Sequence, residues 1–278
     1  MNSYTTTISV NKPASDLFRV IRDVSMWWSK DFEGECEKEG DLFVINHPGR
    51  HYSKQQLIEV VPDKKMVWLV TESTLNWLKD PQEWTNTKMI FDISVENDQT
   101  VLHFTHEGLV PSLECYERCS QGWTMVILDW LKNCIDSFHL TITVNTNKEK
   151  AMQLISRPDN WWVTGITGVT DKLGGKFHVP MGETRIDFEI IVYKPGKRIN
   201  WKVTGSHIPW LKNIHEWTGT EVVFKISPDG DATRIDFTHV GLLPSVECYK
   251  GCEQGWTEHI AHSLVQLMNE GKGAPKSF

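Results

Sequence analysis

Two clusters in the chain combine residue types that could do chemistry. His106 precedes Cys115 and Cys119, and His239 precedes Cys248 and Cys252 at the same spacing. The cysteines of each pair lie four residues apart, so on a helix they share one face. One histidine and two thiolates would supply three zinc ligands, leaving a fourth position for water. The spacing matches no familiar zinc signature. A thiolate near a helix N-terminus would instead be a reactive nucleophile. The plainer alternative is two small buried side chains beneath a strand-to-helix connection, with each histidine satisfied by a backbone carbonyl. Cys36 has no counterpart in the second cluster.

Carboxylates offer less. Glu83 and Glu216 stand in matched Glu-Trp-Thr segments, and Glu114 and Glu247 precede the paired cysteines. Acid–base work needs a partner with a separated pKa, and neither is visible. Charge near a helix start explains Glu114 and Glu247 equally well. Nucleophile-elbow, zinc-protease and phosphate-loop motifs are missing. The chain reads as a binding protein before an enzyme, with no cofactor indicated.

Thirteen tryptophans are many for 278 residues. Trp28, Trp68, Trp84 and Trp123 recur as Trp162, Trp201, Trp217 and Trp256. Indoles fill cores, but they also wall apolar cavities that hold flat or aliphatic ligands. These eight, with His106 and His239, are the candidate ligand-binding residues. A small apolar or aromatic metabolite is the expected partner.

The recurrence is a duplication of nearly the whole chain. Phe104–Trp123 returns as Phe237–Trp256 with fourteen of twenty residues identical, offset by 133. Trp27-Trp28 matches Trp161-Trp162, and Gly40 and Phe43 match Gly174 and Phe177. The expected domains are 1–137 and 138–278, each long enough to bury its own core. The copies differ at the loop His47–His51, which becomes Pro180–Glu183, and at Thr74, which becomes His207. The two pockets are therefore not expected to be identical.

Each copy opens with alternating β-branched residues, Thr5–Val10 and Leu140–Val144, as a strand does. A short helix over Ala14–Arg22 follows. Strands are expected over Asp41–Asn46, Gln55–Val61, Met66–Glu72, Thr87–Glu96 and Thr100–His106, separated by turn clusters such as Pro62-Asp63-Lys64. The longest helix closes the copy, with Ser112 and Ser245 as expected N-caps. Trp123, Ile127, Leu131 and Cys134 make one apolar stripe on it, and Trp256, Ile260, Leu264 and Leu267 repeat it. Gly122 and Gly255 fall inside this helix, where each costs about 1 kcal/mol against alanine. The expected return is a close approach of the helix backbone to the sheet. The fold class is α+β: in each copy a curved antiparallel sheet wraps a long C-terminal helix.

This order, with Phe-Thr-His-x-Gly-Leu before Cys-x-x-x-Cys-x-Gln-Gly-Trp, resembles the Aha1-like branch of the START/Bet v 1-like (SRPBCC) superfamily. The resemblance implies a helix-grip fold in both halves. It also implies a choice among lipid and hormone carriers, polyketide cyclases, self-sacrificing resistance proteins and stimulators of the Hsp90 ATPase. A cyclase or hydrolase would use His106 or His239 in the pocket. A co-regulator of a chaperone ATPase would act through a protein surface, and such stimulators carry a further Hsp90-binding domain for which the duplication leaves no length.

The net charge of −7, with lysine and arginine thinly spread, argues against nucleic acid and anionic membrane as partners. The N-terminus lacks a basic segment followed by an apolar core, and no apolar run is long enough to span a bilayer. A cytoplasmic protein with reduced cysteines is expected.

Overall fold

Alternation in the first strand places every second residue on one face. In β1 (Tyr4–Val10), Tyr4, Ile8 and Val10 are buried while their neighbours face out. The computed structural model describes residues 2–278. Met1, the first residue of the expected first domain, lies outside them. The described chain separates into two compact units, one ending at Asp136 and the other running from Ser137 to Phe278.

In the first unit β1 is followed by α1 (Ala14–Arg22) and α2 (Val24–Trp27). Then come β2 (Phe32–Gly34), β3 (Leu42–His47), β4 (His51–Val61), β5 (Lys65–Leu75), β6 (Lys88–Glu96) and β7 (Gln99–Glu107). The seven strands form one antiparallel sheet in the order β1-β7-β6-β5-β4-β3-β2. The second unit repeats this with β8 (Phe138–Val144), α5 (Lys148–Ile155), β9 (Thr167–Gly168), β10 (Lys176–Met181), β11 (Thr184–Lys194), β12 (Arg198–His207), β13 (Glu221–Asp229) and β14 (Ala232–Val240). Its sheet order is β8-β14-β13-β12-β11-β10-β9.

Two irregularities curve each sheet at matched places. Between β4 and β5 the register slips at Lys54/Gln55 and at Leu57/Glu59. Between β11 and β12 it slips at Asp187/Phe188 and Ile190/Val192. Bulges bend a strand and increase its twist, so each sheet closes around the helix laid on it.

That helix is α3 (Tyr116–Met125), a π-helical turn (Val126–Leu131) and α4 (Lys132–Asp136). Its counterpart is α6 (Tyr249–Thr257), a π-helical turn (Glu258–Leu264) and α7 (Val265–Glu270). The expected stripes face inward: Trp123, Ile127, Leu131 and Cys134 are buried, as are Trp256, Ile260, Leu264 and Leu267. Each unit is thus a helix-grip domain of the α+β class, and the two are in tandem. Among the described residues no helix is long and apolar enough to cross a membrane.

Several details depart from expectation. Strand β4 begins at His51, four residues early, because its inward row His51–Ser53–Gln55 is polar and hides the hydrophobic alternation. Helix α3 starts at Tyr116, after a turned segment, so Ser112 does not stand at its N-cap; Cys115 does. Gly122 and Gly255 do not bring the helix against the sheet, since a Cβ on either would meet nothing within 4 Å.

Candidate functional site

The two equivalent histidines stand near the ends of β7 and β14 on the inward face, fully buried. The indole N–H of Trp123 donates to His106 Nδ1 at 2.9 Å. That fixes the proton on Nε2, which donates to Thr87 Oγ1 at 2.9 Å. The threonine hydroxyl in turn donates to the carbonyl of Trp84 at 2.5 Å. The second unit repeats the chain: Trp256 to His239 at 3.0 Å, His239 to Thr220 at 2.9 Å, and Thr220 to the carbonyl of Trp217 at 2.6 Å. Burial pushes both histidines down from 6.5 to about 3, so each is a neutral, fully bonded strut. Neither lines the indole-walled cavity of its unit, and among the described residues the partners of both are threonine and tryptophan. His106 and His239, expected to face the pocket, instead stand behind its indole wall.

The strut holds two indoles. Trp84 and Trp123 lie nearly parallel with centroids 5.9 Å apart, as do Trp217 and Trp256 at 5.9 Å. Trp28 packs on Trp123 at 5.0 Å, and Trp162 on Trp256 at 4.8 Å. These six tryptophans border a cavity in each unit, about 380 Å³ in the first and about 600 Å³ in the second. Both volumes fall in the range of small-molecule sites. Trp68 and Trp201 sit behind the wall: each stacks on its neighbour, Trp28 or Trp162, and has no exposed surface. Both indole N–H groups there are buried without a hydrogen-bond partner.

The helix forms the opposite wall. Gly122 and Gly255 line the cavities, and so do Cys119 and Cys252 one turn earlier. The helix glycines thus keep space open. This role is invisible in a sequence, where a conformational need and a volume need look alike.

The rims are where the copies part. The first cavity is bordered by His47, Arg50, His51, Trp77 and Arg118. At the corresponding places the second has Met181, Glu183, Thr184, Trp210 and Gly251. His51 stands edge-on to Trp84 with centroids 4.9 Å apart and shares a 2.8 Å hydrogen bond with Ser53. Burial, then the nearby His47, pushes His51 down to about 4. In the second unit His259 takes the place of Val126 on the wall, and burial, then the charge of Lys276, also pushes it to about 4. The loop difference noted in the sequence, His47–His51 against Pro180–Glu183, falls on these rims, whereas Arg118 and His259 were not singled out. For Arg118 the signal was available as disagreement within the most similar segment, where it aligns with Gly251. His207, the other flagged difference, does not border the cavity.

The carboxylates cap the helix. Glu83 accepts from the backbone N–H of Glu114 at 3.0 Å and of Cys115 at 2.9 Å. Glu216 does the same for Glu247 at 2.9 Å and Cys248 at 3.0 Å. Glu114 and Glu247 reach back to the N–H of Lys79 and Lys212, at 3.2 and 3.1 Å. These long-range staples satisfy helix-start donors that have no intrahelical acceptor.

The cysteine pairs are free thiols. Cys115 is pushed up by its hydrogen bond with Cys119 and then by burial, and Cys119 is held down by the same bond. Cys248 is pushed up by Cys252 and by burial. Among the described residues no group of three or more His, Cys, Asp or Glu side chains is placed to hold a metal ion. The zinc reading of His106 with Cys115 and Cys119, and of His239 with Cys248 and Cys252, fails for a visible reason: both ring nitrogens of each histidine are already occupied.

Comparison with known proteins gives the following. Residues 12–136 and again 148–269 match the family described as Activator of Hsp90 ATPase homolog 1-like protein. A search of the curated proteins finds no match. Among solved structures, the Aha1 dimer from Colwellia psychrerythraea is similar over 49% of this chain and 96% of its own, at 18% identity and a TM-score of 0.41. The di-domain ARO/CYC StfQ from the steffimycin biosynthetic pathway is similar over 92% of this chain and 93% of its own, at 13% identity and a TM-score of 0.39. DynU16, a putative protein in the dynemicin biosynthetic locus, is similar over 98% and 99%, at 10% identity and a TM-score of 0.37.

Proposed function

The chain belongs to the Activator of Hsp90 ATPase homolog 1-like protein family, with one matched region in each half, and from that premise we propose that it binds small apolar or aromatic molecules, one in each unit. This reading takes 1–137 and 138–278 as two domains, each with its own cavity between sheet and C-terminal helix. The ligand meets Trp28, Trp84 and Trp123 in the first, and Trp162, Trp217 and Trp256 in the second. Trp68, Trp201, His106 and His239 support those walls from behind.

One observation carries the reading. A helix-interior glycine stands at the same place in both copies, and the space a side chain would fill is open in both. Each glycine costs the helix about 1 kcal/mol, yet contributes no packing contact. A hollow walled by indoles and open at its rim is what that cost maintains.

Mass spectrometry of the protein as purified, native and then denatured, tests this. The expected result is a released organic mass, or uptake of added aromatic probes at up to two per chain. A bare mass with no uptake of any apolar probe would overturn the reading. Attention would then pass to a protein partner, the role named in the family's description, which a pull-down for a chaperone ATPase would examine.

A further inference from the structure

The two cavities differ in charge in a way their common origin does not require. Arg50 lies in the turn just before β4 and Arg118 on the first turn of α3, both exposed and both on the rim of the first cavity. Neither is paired with a carboxylate among the described residues. Arg118 instead lies over the Trp77 ring, its guanidinium carbon 4.6 Å from the centroid. A guanidinium stacked this way keeps its N–H edge free for a planar anion. At the same places the second unit has Glu183 and Gly251, and Trp210 stands 61% exposed with no cation over it.

The inward strand rows that begin at these rims differ in the same sense; His51 of the first row lines its cavity, and Thr184 and Ile186 of the second line theirs. In the first unit the inward row of β4 is His51, Ser53 and Gln55, joined by hydrogen bonds. The amide of Gln55, turned so that its nitrogen donates to the carbonyls of Phe43 and Ser53, accepts from the Ser53 hydroxyl at 2.5 Å. In the second unit the row is Thr184, Ile186 and Phe188, and the last two are fully buried hydrocarbon. Glu83, whose field also reaches this rim, is committed to helix-start N–H groups as Glu216 is, so it does not explain the contrast.

We infer that the first cavity is an organic-acid site, taking a flat aromatic ring against its indoles and a carboxylate on Arg50 and Arg118, while the second takes an uncharged apolar ligand. This rests on the cavity reading above and adds the class of ligand in each unit. The smaller volume of the first cavity, about 380 Å³, suits one or two fused rings.

Calorimetric titration of the full chain with 2-naphthoate and with its methyl ester provides the test. The expected result is one naphthoate site and two ester sites per chain. In Arg50→Gln/Arg118→Gln the preference of the first site for naphthoate over ester falls at least about tenfold, as loss of two charge-assisted contacts implies. In Glu183→Arg/Gly251→Arg, which leaves the first unit untouched, a second naphthoate site appears. Naphthoate binding at two wild-type sites, or a preference unmoved by both variants, overturns the inference while leaving the cavities as binding sites. Failure of both probes to bind wild-type protein overturns the cavity reading as well.

Discussion

Replacing Gly255 by alanine separates a glycine kept for space from one kept for backbone contact. The residue lies inside α6 with ordinary right-handed geometry, so alanine adopts its conformation without strain. A Cβ there meets no heavy atom within 4 Å. The steric term is therefore close to zero, and the helix-propensity term stands alone at about 0.8–1 kcal/mol in favour of alanine. For a unit of this size, that raises the melting temperature by roughly 3–5 °C. Urea unfolding should show the midpoint moving up with an unchanged slope, which marks a stability change without altered compactness. The same variant should bind apolar probes more weakly, and Gly255→Leu, which fills the hollow, should abolish probe binding in the second unit while the fold persists. Stability that falls by 1 kcal/mol or more in Gly255→Ala would refute the reasoning, because it would mean the backbone is in contact there after all.

The buried histidines set an acid limit. Each folded site refuses a proton until about pH 3, whereas the unfolded chain takes it up near 6.5. Stability is thus complete above pH 6.5 and declines by about 1.4 kcal/mol per pH unit for each histidine as pH falls toward 3; urea midpoints that do not change between pH 7 and pH 5 would contradict this. Glu83→Ala strips two donors at the start of α3 of their acceptor and should cost about 1–2 kcal/mol in chemical denaturation, by analogy with other lost caps; a neutral result would mean water replaces the staple. Dialysis against a chelator should leave the melting temperature unchanged, since His106 and His239 have no free ring nitrogen; release of zinc with a drop in melting would restore the cysteine–histidine ligand set.

What could be read from the sequence followed from local regularity. Period-two burial in β1 and β8, turn clusters between strands, and the stripe Trp123–Ile127–Leu131–Cys134 each depend on neighbours within a few residues. The duplication made every such signal appear twice. What could not be read depends on partners distant in the chain. The Glu83 cap acts across thirty-odd residues, and no cap signature near Tyr116 announces it. His106 looked like a site because a histidine's partners, Thr87 and Trp123, are visible only once β6, β7 and α3 are assembled. The polar row of β4 hid four residues of strand, and its first member, His51, lines the first cavity where Thr184 lines the second. The π-helical turns after Trp123 and Trp256 leave no mark either, since a stripe spaced by four and three suits both helix types.

The stacked indoles also make the molecule optically self-reporting. Trp28 and Trp68 are almost coplanar in orientation, 3° apart with centroids separated by 6.1 Å, and Trp162 and Trp201 repeat this at 9° and 6.4 Å. Rings so close and so fixed couple their electronic transitions, and the coupling gives circular dichroism that loose side chains lack. Loss of fixed packing would erase that signal even where backbone structure survived. Because both units carry the same array, their spectra superimpose, and substituting one tryptophan in one unit is enough to let the other be watched alone.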